Sequence, residues 1–388
     1  MSSTPTESKT PSSGDEMSPS PTCLLTPTSV SSGNGSSSMC TPKQNPIRLR
    51  ALENLMKERV SKSPQLQIPA SPVMERLGYG TGVGVFLLER SPRPNGDASS
   101  PWAIKKTMRM KEDDEVITAR LEYEADILRQ LCHPNIIGYR AFGKTTSPDA
   151  AFLALEKASK SLSDLIEDRV EEVMMIENCD EEAPFPAKKI EKVAIDVGKA
   201  LTYLHDEMKM VHGDVKSANV LVFGDFETIK ICDFGVARKL NAKGEVEGNY
   251  VGTEIWNALE VITVKRGGVK KFPITHKADM YPFGLTIFEM ISLKPPHLSS
   301  AEDSYLETSQ TDNATDDSVV VLEQSFDEEA YELALSRYIG TRPLLPDIDF
   351  DSSYNHILGV FYCCTEEDPS RRPDAKDVVA ALEIDAQK

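Results

Sequence analysis

Two short runs constrain this chain more than anything else in it. His212-Gly213-Asp214-Val215-Lys216-Ser217-Ala218-Asn219 is followed, fourteen residues after Asn219, by Asp233-Phe234-Gly235. Two carboxylates, an ammonium and an amide thus stand at fixed separations within polar sequence. A turn rich in small and polar residues would account for either run alone. It does not account for both at this distance from each other.

Phosphoryl transfer asks for such a set. Asp214 is the candidate general base for a hydroxyl proton, and Lys216 would balance charge developing on the transferred group. Asn219 and Asp233 would hold Mg2+ over the phosphates. Upstream, Leu77-Gly78-Tyr79-Gly80-Thr81-Gly82-Val83-Gly84-Val85-Phe86 reads as a strand-turn-strand in which missing Cβ atoms let the backbone approach phosphates. Against the pattern G-x-G-x-x-G-x-V, Gly78, Gly80 and Val85 fit, and the third glycine place falls on Val83. Glycines cluster in hairpins for many reasons, so this motif counts through its distance to the next one. Ala103-Ile104-Lys105 follows, with Lys105 twenty residues after Val85. By itself Lys105 is an ordinary surface Lys. In this order it is the candidate for the α and β phosphates of ATP, with Glu124 as the carboxylate that holds it. Glu122 is the less favoured partner.

The 388 residues are 40% hydrophobic and 27% charged, enough for a large domain with a core. No run approaches the roughly eighteen apolar residues of a membrane span. Met1-Ser2-Ser3-Thr4-Pro5 lacks the basic and apolar regions of a secretory signal, so a cytoplasmic or nuclear address is expected. Seven Cys form no C-x-x-C pair, which predicts free thiols rather than a structural metal. Cys363 and Cys364 are expected on one helix, facing different sides. The net charge is −18, and from Ser300 onward 21 acids stand against 6 Lys or Arg. That excludes general nucleic-acid binding, which needs a basic footprint, and permits basic partners.

Residues 1–68 are rich in Ser, Thr and Pro and too poor in apolar groups to offset their ordering entropy, so a disordered tail is predicted. Ser/Thr-Pro pairs at Thr4, Thr10, Ser18, Ser20, Thr26, Thr41, Ser63 and Ser71 suit a proline-directed kinase. Leu49, Leu52, Met56 and Val60 share a face of a short helix over 47–60, too short to be stable alone. Beyond the tail, strand-like runs flank Gly78 to Val85 and Trp102 to Lys106. A helical pattern runs from about Ala119 to Leu131, and strands are expected around Ile136 to Phe142 and Ala151 to Leu155. From Ala187 onward the pattern is mainly helical, with a stripe of Ile190, Val193, Ala194, Val197, Leu201 and Leu204. Two acidic inserts, 167–184 and 299–332, read as solvated loops.

The chain resembles a eukaryotic-type protein kinase over about residues 71 to 385. The resemblance implies an α+β, bilobal kinase fold, with a small β-rich N-lobe over 69–158 and a larger helical C-lobe over 159–388. It implies that Leu155 is the gatekeeper, that Glu156 and Ala158 offer backbone groups to adenine, and that Val85, Ala103 and Leu221 sandwich the ring. Leu128, His212 and Phe234 would belong to a hydrophobic spine. Glu260, in Ala258-Leu259-Glu260, would pair with Arg372, and Asp279 would brace the catalytic loop. More narrowly, Ile68-Pro69-Ala70-Ser71-Pro72, Ser91-Pro92-Arg93, His212-Gly213-Asp214, Gly224 to Asp233 and Gly340-Thr341-Arg342-Pro343 are similar to the T-cell-originated protein kinase (PDZ-binding kinase) family. That family is mitotic and MAP-kinase-kinase-like. The resemblance implies transfer to Ser and Thr, with Tyr as a further acceptor, on protein substrates such as MAP kinases. It also implies an upstream proline-directed cell-cycle kinase acting on the tail. A PDZ ligand needs an apolar last residue, and Ile384-Asp385-Ala386-Gln387-Lys388 ends in Lys, so PDZ binding is not expected.

Gly213 replaces the Arg that in most kinases clamps a phosphorylated activation loop. Between Gly235 and Gly252 there is no Ser or Thr, and Tyr250 is the only hydroxyl. Control is therefore expected from the tail or from partners. The competing reading is a pseudokinase scaffold that recruits partners through tail and inserts. It rests on Gly213 and the missing third glycine, although Lys105, Asp214 and Asp233 are all present.

Overall fold

A computed structural model of the chain describes residues 74–80, 83–90, 99–107, 114–144, 151–175, 184–269, 272–302, 304 and 328–385. The tail 1–68 with the helix expected over 47–60, Ser91-Pro92-Arg93, residues 176–183 of the first acidic insert and most of the second lie outside these residues.

Strand alternation builds the first layer. Strands β1 (Arg76–Gly80), β2 (Val83–Leu88), β3 (Trp102–Thr107), β4 (Tyr139–Lys144) and β5 (Ala151–Glu156) form one antiparallel sheet in the order β1-β2-β3-β5-β4. In β3, Ile104 pairs with Phe86 and Ala154 on one face, in a cluster with Leu88 and Phe152. Its neighbours Ala103 and Lys105 necessarily point to the other face, beside Val85, Leu153 and Leu155. Helix α1 (Asp114–Leu128) buries Leu121, Ala125 and Leu128 in the main core, together with Leu153 and Leu155. It begins and ends earlier than the periodicity suggests. Gln130 bonds back to Ile127, a tightened turn, and His133-Pro134 follows, where a residue before proline disfavours helix.

The second layer is helical, as the resemblance implied. Helix α2 (Leu162–Met174) opens on a capping box between Ser161 and Asp164 and buries Leu162 and Ile166. The first acidic insert therefore begins on a helix rather than in a loop. Its cap and buried stripe outweigh the charge run, and Lys160 pairs with Asp168. Helix α3 (Ala187–Thr202) carries the predicted stripe, with Ile190, Val193, Ala194, Val197 and Leu201 all buried.

The stretch after Ala187 is less helical than expected. Short strands β6 (Lys160–Ser161), β8 (Val220–Phe223) and β9 (Thr228–Ile231) form a second sheet, and β7 (Met210–Val211) pairs with β10 (Arg238–Lys239). Runs of two to four residues carry too little periodicity to announce themselves. They place the two catalytic runs on the loops between β7 and β8 and after β9.

Helices α4 (Leu259–Lys265), α5 (Lys277–Ser292), α6 (Glu328–Tyr338), α7 (Asn355–Cys364) and α8 (Ala375–Asp385) complete the lobe. Helix α6 puts the end of the second acidic insert on a helix as well. Cys363 is exposed and Cys364 buried on α7, as expected. Nearly every described residue of α5 is buried. Arg372 bonds Glu260 through both terminal nitrogens at 2.6 and 2.9 Å, with the Arg372 side chain fully buried. Removing one partner strands the other charge in a low-dielectric site. Glu260→Ala is expected to lower unfolding stability by about 3–5 kcal/mol, read by chemical denaturation. A change within about 1 kcal/mol, no more than a surface pair contributes, would contradict this reading of the pair.

Candidate active site

The roof of the cleft follows from strand register. Lys105 lies opposite Val85 and Leu153, and Ala103 opposite Leu155, so these side chains share the inner face of the sheet. Lys105 Nζ reaches Glu124 Oε2 at 2.8 Å and Asp233 Oδ1 at 2.9 Å. Glu122, the less favoured candidate, pairs with Lys144 instead. Burial works against the Lys105 ammonium, but the Glu124 and Asp233 carboxylates outweigh it and raise its pKa above the ordinary lysine value. Burial likewise opposes the Asp233 carboxylate, and Lys105 overrides it, bringing the pKa down to about 2. Asp233 also has a positive φ of 64°, a strained conformation of the kind found at functional sites.

The floor is the loop after β7. Asp214 is held from three sides. Asn219 Nδ2 donates to its Oδ2 at 3.0 Å and to its carbonyl at 2.8 Å, Lys216 Nζ stands 3.0 Å from Oδ2, and Thr253 Oγ1 donates to Oδ1 at 2.6 Å. Lys216 Nζ in turn donates to Thr253 Oγ1 at 2.6 Å. His212 Nε2 donates to the carbonyl of Cys232 at 2.9 Å, and its ring meets Phe234 edge-on at 4.9 Å. Leu128 and Phe234 are buried in one core cluster.

Asp279 on α5 organises the loop from below. Its Oδ2 accepts from the backbone N–H of His212 at 2.8 Å and from His205 Nε2 at 2.9 Å. Its Oδ1 accepts from the Gly213 N–H at 3.0 Å and from the Tyr250 hydroxyl at 2.9 Å. Burial would raise the Asp279 pKa, but the His205 bond, His212 and the Gly213 amide hold it below the ordinary carboxylate value. Gly213 has φ +80°, and a Cβ there would stand 2.9 Å from the carbonyl oxygen of Val236. This backbone has no room for a side chain, which explains the glycine physically.

The cleft encloses about 450 Å³, within the usual range of small-molecule sites. Gly78, Val85, Ala103, Leu155, Glu156 and Ala158 border it above, and Lys216, Asn219, Leu221 and Asp233 below. Gly80 ends β1 opposite Val83. The Glu156 side chain is drawn to Arg140, at 3.0 Å, and to Lys230.

Some neighbours were not foreseen. Arg120 borders the cleft, and a Cβ on Gly235 would stand 2.8 Å from its Nε. Its place four residues before Glu124, on the same face of a helix, was the available signal. Glu289 on α5 accepts from Ser217 Oγ at 2.8 Å and from Trp256 Nε1 at 3.0 Å, tying the catalytic loop to the segment before α4. No local pattern announced it.

A family model described as "Protein kinase domain" matches residues 73–382. The chain belongs to the protein kinase family. It is 43% identical over 339 residues to the human lymphokine-activated killer T-cell-originated protein kinase, covering 86% of this chain and 96% of that protein. It is 32% identical over 225 residues to the serine/threonine-protein kinase pakF of Dictyostelium discoideum, covering 58% of this chain and 16% of pakF. To mitogen-activated protein kinase kinase kinase 3 of Arabidopsis thaliana it is 31% identical over 223 residues, covering 57% of this chain and 32% of the relative. The resemblance seen in the motifs therefore extends over most of the chain. No helix among the described residues is long and apolar enough to cross a membrane.

Glu289 gives the site a pH signature. Burial pushes its carboxyl up to about 7, against the Ser217 and Trp256 hydrogen bonds that pull it down. A carboxyl raised in the folded state contributes its full stability below the unfolded value, about 4.3, and loses it as pH rises through the folded value. Glu289→Gln cannot titrate. Relative to the native chain it is expected to gain up to about 3 kcal/mol between about pH 5 and pH 8. Thermal melts of both proteins across that range check this. A stability difference that does not change with pH would contradict it.

Proposed function

We propose that the chain is an ATP- and Mg2+-dependent protein kinase that transfers the γ-phosphoryl group to Ser and Thr hydroxyls of protein substrates, with Tyr as a further acceptor. The observation that carries this is the Asp214 carboxylate, fixed by Lys216, Asn219 and Thr253 across the cleft from a Lys105 itself fixed by Glu124 and Asp233.

Adenine lies between Val85 and Ala103 above and Leu221 below, against the backbone of Glu156 and Ala158, with Leu155 behind. The amides around Gly78 and Gly80 cover the phosphates, and Lys105 binds the α and β phosphates. Asp214 accepts the substrate hydroxyl proton as that oxygen attacks the γ-phosphorus and the bond to the β–γ bridging oxygen breaks, releasing ADP. Lys216 neutralises charge on the moving group. Both Asn219 Nδ2 bonds go to Asp214, so its side-chain oxygen is the atom free to act as a ligand. With the ionised Asp233 it makes a hard oxygen pair of the kind Mg2+ shares with substrate phosphates. Bound there, the metal neutralises phosphate charge.

The Lys216–Thr253 bond beside Asp214 supports Ser and Thr as acceptors. The similarity to the human T-cell-originated kinase supports a MAP-kinase-kinase-like enzyme of mitosis or stress signalling, with MAP kinases among its substrates. A proline-directed cell-cycle kinase acting on the tail is the upstream partner.

Purified protein with labelled ATP, magnesium and pools of Ser, Thr and Tyr peptides tests the reading beside Asp214→Asn. The native chain is expected to label Ser and Thr peptides, and loss of the base to reduce transfer by about a hundredfold or more. No transfer by the native chain, even after treatment with a proline-directed kinase, would move the function to a scaffold.

A further inference from the structure

Tyr250 stands against an unusual place in helix α5. Pro282 lies inside that helix and has no N–H, so the carbonyl four residues back, on Ala278, loses its helical donor. The Tyr250 hydroxyl stands 3.2 Å from that carbonyl oxygen and 2.9 Å from Asp279 Oδ1. The phenol is 4% exposed and packs with Val211, Val261, Ile274 and Ala278. Its single proton goes to the nearer, charged acceptor, the carboxylate that holds the His212 and Gly213 amides, with the carbonyl left open by the proline as a second, longer acceptor. Three residues later in the chain, Thr253 donates to Asp214. The segment that leads into Tyr250 is pinned by backbone bonds from Glu247 to Lys239 and from Val246 to Ile274.

We propose that Tyr250 is a positioning residue of the kinase. Its hydroxyl, seated between the carbonyl freed by Pro282 and the Asp279 carboxylate, sets the activation segment in its working register without a phosphate. This rests on the kinase reading above. It also gives the absence of Ser and Thr between Gly235 and Gly252 a structural meaning. Gly213 leaves no side chain to clamp a phosphate, and the one hydroxyl in the segment is already engaged. A phosphate on Tyr250 would have to enter a buried space beside the Asp279 carboxylate, where like charge and desolvation both oppose it.

Tyr250→Phe keeps the ring and deletes the hydroxyl. Expected are a fall in kcat of about tenfold with the KM for ATP within about twofold, and faster hydrogen exchange of the amides from Lys239 to Val251. Val378→Ala, a core change on α8 outside the site, reports what lost stability alone does. It is expected to lower the melting temperature without changing kcat at a temperature well below it. Mass spectrometry of the active native protein is expected to find Tyr250 unmodified. Native kcat and native exchange in Tyr250→Phe, or stoichiometric phosphate on Tyr250 in active protein, would overturn the proposal. If the native protein transfers no phosphate, the kinase reading fails, and the exchange measurement still decides whether the hydroxyl orders the segment.

Discussion

The Asp279 carboxylate is the point on which the rest of the site depends. It is fully buried and accepts four hydrogen bonds, two from catalytic-loop amides, one from His205 and one from Tyr250. A buried carboxylate without donors would be costly. With four donors it becomes a rigid origin from which the loop is measured. Helix α5 is suited to carry it because nearly all its faces are buried, so its position is set by packing on several sides at once. Asp214 inherits that precision two residues from His212, and Glu289, ten residues further along α5 than Asp279, anchors the same loop again through Ser217.

The roof is organised by a second charge arrangement that does not touch the first. Lys105, Glu124 and Asp233 join the sheet, helix α1 and the loop after β9 in one ion cluster. Helix α1 also grips the loop after β9 directly, since the Tyr123 hydroxyl donates to the Ala237 carbonyl at 2.7 Å. Arg120 lies against Gly235, where a Cβ would stand 2.8 Å from its Nε and push that side chain aside. The two arrangements meet where the ring of Phe234 packs on His212 and where Cys232 bonds His212 and Asn219.

Much of this was legible in the sequence because the chemistry fixes residue types at fixed separations. The choice of Glu124 over Glu122 follows from position relative to the motifs, and the Glu260–Arg372 pair and the Asp279 brace from the resemblance to protein kinases. The bonds that were not legible join residues far apart with no shared pattern. Tyr250 and Asp279 are 29 residues apart, and Trp256 and Glu289 are 33 apart. Their meaning depends on Pro282 and on burial, which a single sequence does not display. The short strands β6 to β10 were missed because two to four residues define no period, and the acidic inserts were read as loops because charge composition hides a cap such as Ser161 with Asp164.

The most direct test of the account is the kinetics of Asp279→Asn, which keeps the side chain's size but turns one oxygen acceptor into a donor facing the loop amides. On the proposed reading ATP binds mainly to the roof, so its dissociation constant should stay within about threefold while kcat falls by about a hundredfold or more. Folded protein with native kcat would show that the carboxylate is ordinary packing, and that the catalytic loop finds its geometry without it.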